Sequence, residues 1–474
     1  LSRFKGTGRQ VIDGGADVRQ LKSRGSTKRV KLVKKVRKVA PYLAPVVDGV
    51  EAAQDLDVTM QTLSPDSSQT RCLVCKGGKM LCGKSSCPLL HRLYSFLKVK
   101  PLLDKTDLEG SSPPGVFVGR FGWPKVYAGP LVPPVFGDTS IYDSPEDWMY
   151  LDLNQILEYR YSLVRGMHRV SVYEPEQSGR IIDDTRDMTL SSGPVETEVI
   201  FKKRPRRPLR LESEVQPMGP SAMLEKFVLG TMKGHKRLER AYEDRDLKAA
   251  PAIVDLYKND VNLTKITRAF SMGSFGIGPN RRMVPTRWSI TAVDSTVGRH
   301  YRAQVKEHPF INEYRIYEHN FLGDHFKILM SPDAWSYELV EAWFPGTSWN
   351  PSGRHVGICS DWEPYKGRTK YASIGGCYYA VRAMTTEHLA KERRQASVVV
   401  LRESRPSHLM PLGVWKCREI VREALQQPYL RFDTREEAIQ YMMSGFRIDL
   451  KSWIDGGSLL ARQLYQRRLT DYAD

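Results

Sequence analysis

Four cysteines crowd into the run R-C-L-V-C-K-G-G-K-M-L-C-G-K-S-S-C-P, at Cys72, Cys75, Cys82 and Cys87. Their C-x2-C-x6-C-x4-C spacing suits a tetrahedral Zn2+ held by four thiolates, with the Cys72–Cys75 knuckle offering backbone amides to the sulfurs. Gly77, Gly78 and Gly83 allow the chain to turn tightly around an ion. Four thiolates fill the coordination shell, so the zinc expected here is structural. The competing readings are two local disulfides or four unrelated buried thiols. The other cysteines, Cys359, Cys377 and Cys417, are scattered singly through apolar stretches, which is how a reduced intracellular protein uses cysteine.

A second chemistry is recognition of phosphate and base. N-R-R-M-V-P-T-R-W-S gathers Arg281, Arg282 and Arg287 beside Trp288; guanidinium forks suit phosphate, and an indole can stack on an unpaired base. Y-K-G-R-T-K-Y sets Lys366 and Arg368 between Tyr365 and Tyr371. K-K-R-P-R-R-P-L-R, residues 202–210, reads as an exposed basic loop. The glycine-rich G-S-F-G-I-G-P before Asn280 could bring amides against phosphate, but it lacks the G-K-[ST] of a P-loop. Each stretch could equally be a structural loop with solvated charge.

The run from Gln466 to Ala473 fits Q-x-x-[apolar]-x-x-aromatic-x, the form of a clamp-binding motif. Gln466 would enter a polar pocket, while a 3-10 turn would set Leu469 and Tyr472 side by side as an apolar plug. Ala473 stands where stronger motifs carry a second aromatic. The alternative is an amphipathic helix end packed on its own domain. For catalysis, Asp294, Glu341, Asp361 and Glu363 could gather around a metal, with His300 and His325 as base or ligands, but no spacing among them is diagnostic and no catalytic residue is assigned.

Charge is uneven. Residues 1–40 hold 13 Lys/Arg against Asp13 and Asp17, so this arm carries +11 of the net +18. Such an arm either contacts phosphate without regard to sequence or is a solvated tail. No apolar run reaches the roughly 18 residues needed to span a membrane.

These residues must be held by an α+β body of several parts. The expected division is a basic, disordered extension (1–68), a small four-Cys zinc module (69–93), an N-terminal domain (94–250), a C-terminal α+β domain (251–454) and a flexible tail (455–474). V-F-V-G and K-V-Y-A-G read as short strands in a stretch whose prolines argue against a regular central sheet. Ser144 and Pro145 begin a helix that runs to Gly166, and 222–231 and 236–245 read as helices. R-W-S-I-T-A-V-D, Y-R-I-Y-E-H-N, F-K-I-L-M-S, Y-E-L-V-E-A-W-F and V-V-V-L-R-E read as strands. G-G-C-Y-Y-A-V-R-A-M-T-T-E-H-L-A-K-E-R-R-Q-A, V-W-K-C-R-E-I-V-R-E-A-L and a Thr434-capped T-R-E-E-A-I-Q-Y-M-M read as helices.

Long blocks in a fixed order then become distinctive. They include the cysteine cluster, P-P-G-V-F-V-G-R-F-G-W-P-K-V, G-P-L-V-P-P, N-R-R-M-V-P-T-R-W-S-I-T-A-V-D, E-A-W-F-P-G-T-S-W, Y-K-G-R-T-K-Y-A-S-I-G-G-C-Y-Y-A, P-L-G-V-W-K-C-R-E and Q-R-R-L-T-D-Y-A. On these blocks the chain resembles the Nre family of archaeal DNA repair proteins over roughly residues 70–474. The resemblance implies a DNA repair factor that binds DNA, carries structural Zn2+ and is recruited by the sliding clamp (PCNA). It also implies a cytoplasmic, nucleoid-associated protein with no membrane partner. Two other classes stay open: a metal-dependent repair nuclease, and an RNA-binding or ribosome-associated zinc protein.

Overall fold

The computed structural model describes residues 74–75, 78–82, 84, 86–173, 179–206, 217–347, 349–350 and 355–465, all within the unit Asp57–Asp474. The basic arm, Cys72 and the clamp-motif residues Gln466, Leu469 and Tyr472 lie outside these residues. Among the described residues the fold is α+β, as expected, with twelve α-helices and two six-stranded sheets. None of these helices is long and apolar enough to cross a membrane.

The first sheet uses β1 (Asp107–Ser112), β2 (Val116–Val118), β3 (Lys125–Val132), β4 (Val164–Ser171), β5 (Val195–Phe201) and β6 (Ser221–Leu229) in the order β1-β5-β6-β4-β3-β2. Its pairs are antiparallel except β4 with β6. The proline-dense stretch therefore does enter a sheet interior, contrary to expectation. Pro130 is tolerated because β3 and β4 keep one register but leave residues 129 and 130 unpaired, between Ala128↔His168 and Leu131↔Arg165, so no ladder amide is needed there.

The second sheet uses β7 (Tyr314–Phe321), β8 (Asp324–Ser331), β9 (Ser336–Trp343), β10 (Gly357–Glu363), β11 (Ser397–Ser404) and β12 (Leu430–Phe432) in the order β10-β9-β11-β8-β7-β12. It is covered on both faces. Val398 and Val400 of β11 join the main core, whereas Val399 and Leu401 join a second core with Ile439, Met442 and Trp453. Burial of both faces is why V-V-V-L is continuously apolar rather than alternating.

The helices are α1 (Pro88–Leu103), α2 (Leu153–Ser162), α3 (Arg180–Thr189), α4 (Lys236–Glu243), α5 (Ala249–Lys258), α6 (Leu263–Ser271), α7 (Thr286–Val305), α8 (Gly376–Glu392), α9 (Val414–Gln426), α10 (Arg435–Met443), α11 (Leu450–Gly456) and α12 (Leu459–Tyr465). The main core runs from Val99 to Leu425 and takes residues from both sheets. At its centre α7 lies against α8, where a Cβ on Gly298 would stand 3.2 Å from the Ala383 Cα.

Three elements differ from the sequence reading. The helix placed from Ser144 to Gly166 is one short 3-10 turn, Pro145–Asp147, followed by α2; Asp152 caps α2 through a capping box with Gln155, and V-R-G opens β4. Ser144 spends its hydroxyl on the Ser140 carbonyl at 2.7 Å instead of capping. Residues 222–229 are strand, because β6 is claimed by β5 and β4 on either side, and pairing overrides the helix propensity of A-M-L-E-K. R-W-S-I-T-A-V-D lies in α7, whose buried Ser289, Val293, Asp294, Val297 and Gly298 follow the helical period; eight residues were too few to tell the two periods apart.

Candidate nucleic-acid interface

Three segments meet beside the β2–β3 hairpin. Hairpin residues 119–124 carry Arg120, Phe121 and Trp123; β4 and the turn after it carry Arg169 and Tyr173; the segment before α7 carries Arg282, and the first turn of α7 carries Arg287 and Trp288. Backbone bonds fix them together. The Val172 amide donates to the Pro124 carbonyl at 3.0 Å, and the Met283 amide donates to the Val172 carbonyl at 3.0 Å. The Val118 amide donates to Thr286 Oγ1 at 2.9 Å.

The result is a cluster of exposed rings. Trp123 stands 5.6 Å from Tyr173 and 6.4 Å from Trp288, centroid to centroid. Phe121 is 82% exposed and Trp288 46% exposed, so these rings contribute little to the core. Guanidinium groups interleave them: Arg282 lies 5.5 Å from the Tyr173 centroid, Arg120 5.1 Å from Phe121 and Arg169 5.9 Å from Tyr127. Residues 116–132, 164–173 and 281–293 together hold seven Lys/Arg and no Asp or Glu. Exposed rings and uncompensated cations on a stitched frame suit a strand of nucleic acid, with bases on the rings and phosphates on the guanidiniums.

Of the residues chosen from sequence, Arg282, Arg287 and Trp288 belong to this surface. Arg281 turns inward: its guanidinium donates to the Tyr242 carbonyl and, at 2.8 Å, to the Ser274 carbonyl, and it lies 4.8 Å from the Tyr242 ring centroid. The glycine-rich stretch serves this packing. Gly273 has φ +77°, and a Cβ there would meet the Arg282 carbonyl carbon at 2.9 Å. Lys366 is exposed on the loop after β10, but Arg368 on that loop is tied to Asp361 and to the Lys370 carbonyl at 2.7 Å. Burial opposes ionisation of Asp361, yet Arg368 and Ser373 outweigh it and lower its pKa. Phe121, Trp123 and Tyr173, which share this surface, are not among the residues chosen from sequence. The signal was present in R-F-G-W-P-K, where basic and aromatic residues alternate outside any apolar pattern.

The four carboxylates form no shared acidic site. Asp294 is held by Arg418 at 2.7 Å, Glu341 by Arg402 at 2.6 Å, and Glu363 by Arg302 at 3.0 Å and Arg382 at 2.8 Å, while Asp361 takes Arg368. No three of them converge on one point among the described residues. His300 is hydrogen-bonded with Gln304 at 2.9 Å, and burial lowers the pKa of both His300 and His325.

Of the cysteine cluster, Cys75, Cys82 and Cys87 are described and none is in a disulfide. Cys87 is the N-cap residue of α1. Burial raises its thiol pKa, the Leu89 and Leu90 amides oppose the rise, and the nearby Cys75 and Cys82 add to it. The amides of Gly78 and Lys79 fold back on the Cys75 carbonyl at 3.1 and 3.3 Å. Thiols are the donor chemistry a structural Zn2+ takes, but the sulfurs of Cys75, Cys82 and Cys87 do not all lie within 4.8 Å of one another, and Cys72 is outside the described residues.

Comparison with known proteins places the chain. Residues 81–350 match the family model described as archaeal Nre, N-terminal, and residues 363–472 match archaeal Nre, C-terminal. The chain belongs to the Nre family. It is 38% identical to DNA repair protein NreB of Archaeoglobus fulgidus over 392 residues, 82% of this chain and 97% of that one. It is 36% identical to DNA repair protein NreA of the same organism, covering 83% and 97% of the two chains. To DNA repair protein NreA of Haloferax volcanii it is 30% identical, covering 76% and 89%. No solved structure matches this Nre chain.

Proposed function

We propose that this Nre chain is a DNA repair factor that binds unpaired or branched DNA through the Trp123–Tyr173–Trp288 surface. The observation that carries the reading is the set of exposed rings interleaved with cations on three segments without a single acid. The names of its relatives as DNA repair proteins support the setting. Stacking tolerates any base, so the surface selects unpaired strands over a particular sequence. The four-Cys cluster holds one structural Zn2+ at the entry to α1. The tail beyond α12 docks on the sliding clamp through Gln466, Leu469 and Tyr472, delivering the protein to DNA at the nucleoid. The nuclease alternative is weakened because each carboxylate it would use is neutralised by arginine.

Fluorescence anisotropy with single-stranded, duplex and forked DNA, and with RNA of matching sequence, tests the reading. The Arg282→Ala/Arg287→Ala/Trp288→Ala variant should bind unpaired DNA far more weakly than wild type and with a shallower salt dependence. Equal binding by the variant would remove this surface from consideration. Tighter binding to RNA than to DNA would favour the ribonucleoprotein alternative.

A further inference from the structure

The three cysteines that stand singly in the sequence do not stand apart in the fold. Cys377 lies in the first turn of α8 and Cys417 near the start of α9, after N-cap glycines Gly375 and Gly413. Their sulfurs are 3.4 Å apart, and both are free thiols. A carboxylate oxygen of Glu341 on β9 joins them, so that all three donor atoms lie within 4.8 Å of one another. Cys359 on β10 is the direct cross-strand partner of Glu341, and directly paired residues share a sheet face. Cys359 is exposed and is not one of the three donors that meet within 4.8 Å, whereas Cys417 is buried.

We propose that Cys377, Cys417 and Glu341 form a second metal site, for a thiophilic divalent cation of the zinc class, with Cys359 as an available fourth donor. Two thiols with a carboxylate form a borderline-soft donor set that suits Zn2+ and not Mg2+ or Ca2+. Tetrahedral Zn–S bonds of about 2.3 Å set sulfurs about 3.8 Å apart, so only a slight opening of the thiol pair is required.

The charges around the cluster permit the ion. Arg402 lies nearby, with Nη1 4.0 Å from Cys377 Sγ. Its guanidinium, however, is held by Asp324, Nε to Oδ1 at 3.2 Å and Nη2 to Oδ2 at 2.9 Å, and it holds Glu341 Oε1 at 2.6 Å. Lys416 adds a second bond to Asp324 at 2.9 Å. Two cations and two carboxylates already balance, and a divalent cation arriving as two thiols release their protons leaves that balance unchanged. Arg402 then orients the carboxylate from behind, the usual service of an outer-shell partner. The ion would tie the starts of α8 and α9 to the central sheet.

The test uses the full chain, loaded with Zn2+ and freed of excess. Elemental analysis should find one equivalent fewer in Cys377→Ser/Cys417→Ser than in wild type, and that lost equivalent should be absent from Cys72→Ser/Cys75→Ser losses. Circular dichroism establishes that the variant is folded. A measurement on wild type alone guards against misfolding: Zn2+ should protect Cys377 and Cys417 from alkylation in the native protein, read by peptide mass spectrometry. Equal zinc content in wild type and the folded variant would overturn the proposal. So would equal alkylation with and without Zn2+, or a Cys377–Cys417 disulfide that persists in the Zn2+-loaded protein.

Discussion

Trp123 and Trp288 meet with their ring centroids 6.4 Å apart and their planes tilted by 55°, one from a hairpin loop and the other from the first turn of α7. Neither ring is needed to fill the core, since each leaves nearly half its surface in water. Rings so placed cost solvation without giving stability, which is the expected signature of a surface kept for a partner.

Replacing either tryptophan by alanine should therefore lower affinity for single-stranded DNA by about 1–3 kcal/mol, the usual worth of one base stack. Thermal stability should change little. Anisotropy titration beside a melting curve separates the two effects; loss of stability without loss of affinity would make the pair structural.

Arg281 and Arg282 should behave oppositely despite adjacency. Arg281→Ala strands the Tyr242 and Ser274 carbonyls that the guanidinium now satisfies, so unfolding free energy should drop by about 1–3 kcal/mol. Arg282→Ala should leave stability nearly unchanged and flatten the dependence of DNA affinity on salt, as one fewer counterion is released. Denaturant titration and salt-dependent binding of both variants check the contrast.

Glu419 makes stability depend on pH. It is buried on α9, its Oε1 accepts no hydrogen bond, and burial pushes its carboxyl up to about 7 against the pull of Arg422. The folded state thus keeps a proton that the unfolded chain releases near its ordinary 4.5. Stability from this group is lost as pH rises from about 4.5 to about 7, by roughly 3 kcal/mol at most. Glu419→Gln should remove that slope and stabilise the protein above pH 7. Chemical denaturation at pH 5 and pH 8 decides; parallel behaviour of variant and wild type would refute the assignment.

The clamp tail should be separable from the fold. Glu338 seats α12 by accepting from the amides of Ser458 at 2.6 Å, Leu459 at 2.9 Å and Leu460 at 3.0 Å, so the last helix is anchored before Gln466 begins. Leu469→Ala/Tyr472→Ala should abolish binding to purified clamp, expected at about micromolar affinity with Ala473 in place of a second aromatic. Melting temperature should not move. Calorimetry showing undiminished binding would make the tail a packed helix end.

Zinc in the four-Cys cluster should couple to local folding. Cys87→Ser should cost one equivalent of zinc and loosen the start of α1, seen as faster amide exchange there. Unchanged metal content would return these thiols to the structural alternatives.

Sequence alone determined the elements whose local signals agree with their surroundings. Thr434 caps α10 and V-V-V-L-R-E is strand β11, both as read; the capping box with Glu437 and the interior place of β11 in its sheet came from the fold. The family blocks were equally legible, because they are linear. Where local propensity and tertiary pairing disagree, only the fold decided: A-M-L-E-K became β6 because two strands needed a partner, and R-W-S-I-T-A-V-D became α7. Arg281 and Arg282 are indistinguishable in a string of letters, and direction relative to the Tyr242 and Ser274 carbonyls made one a brace and left the other exposed. The Trp123–Trp288 pair and the Cys377–Cys417 pair depend on contacts between segments far apart in the chain. Such contacts follow from how sheets and helices pack, and nothing in the local spacing of residues encodes them.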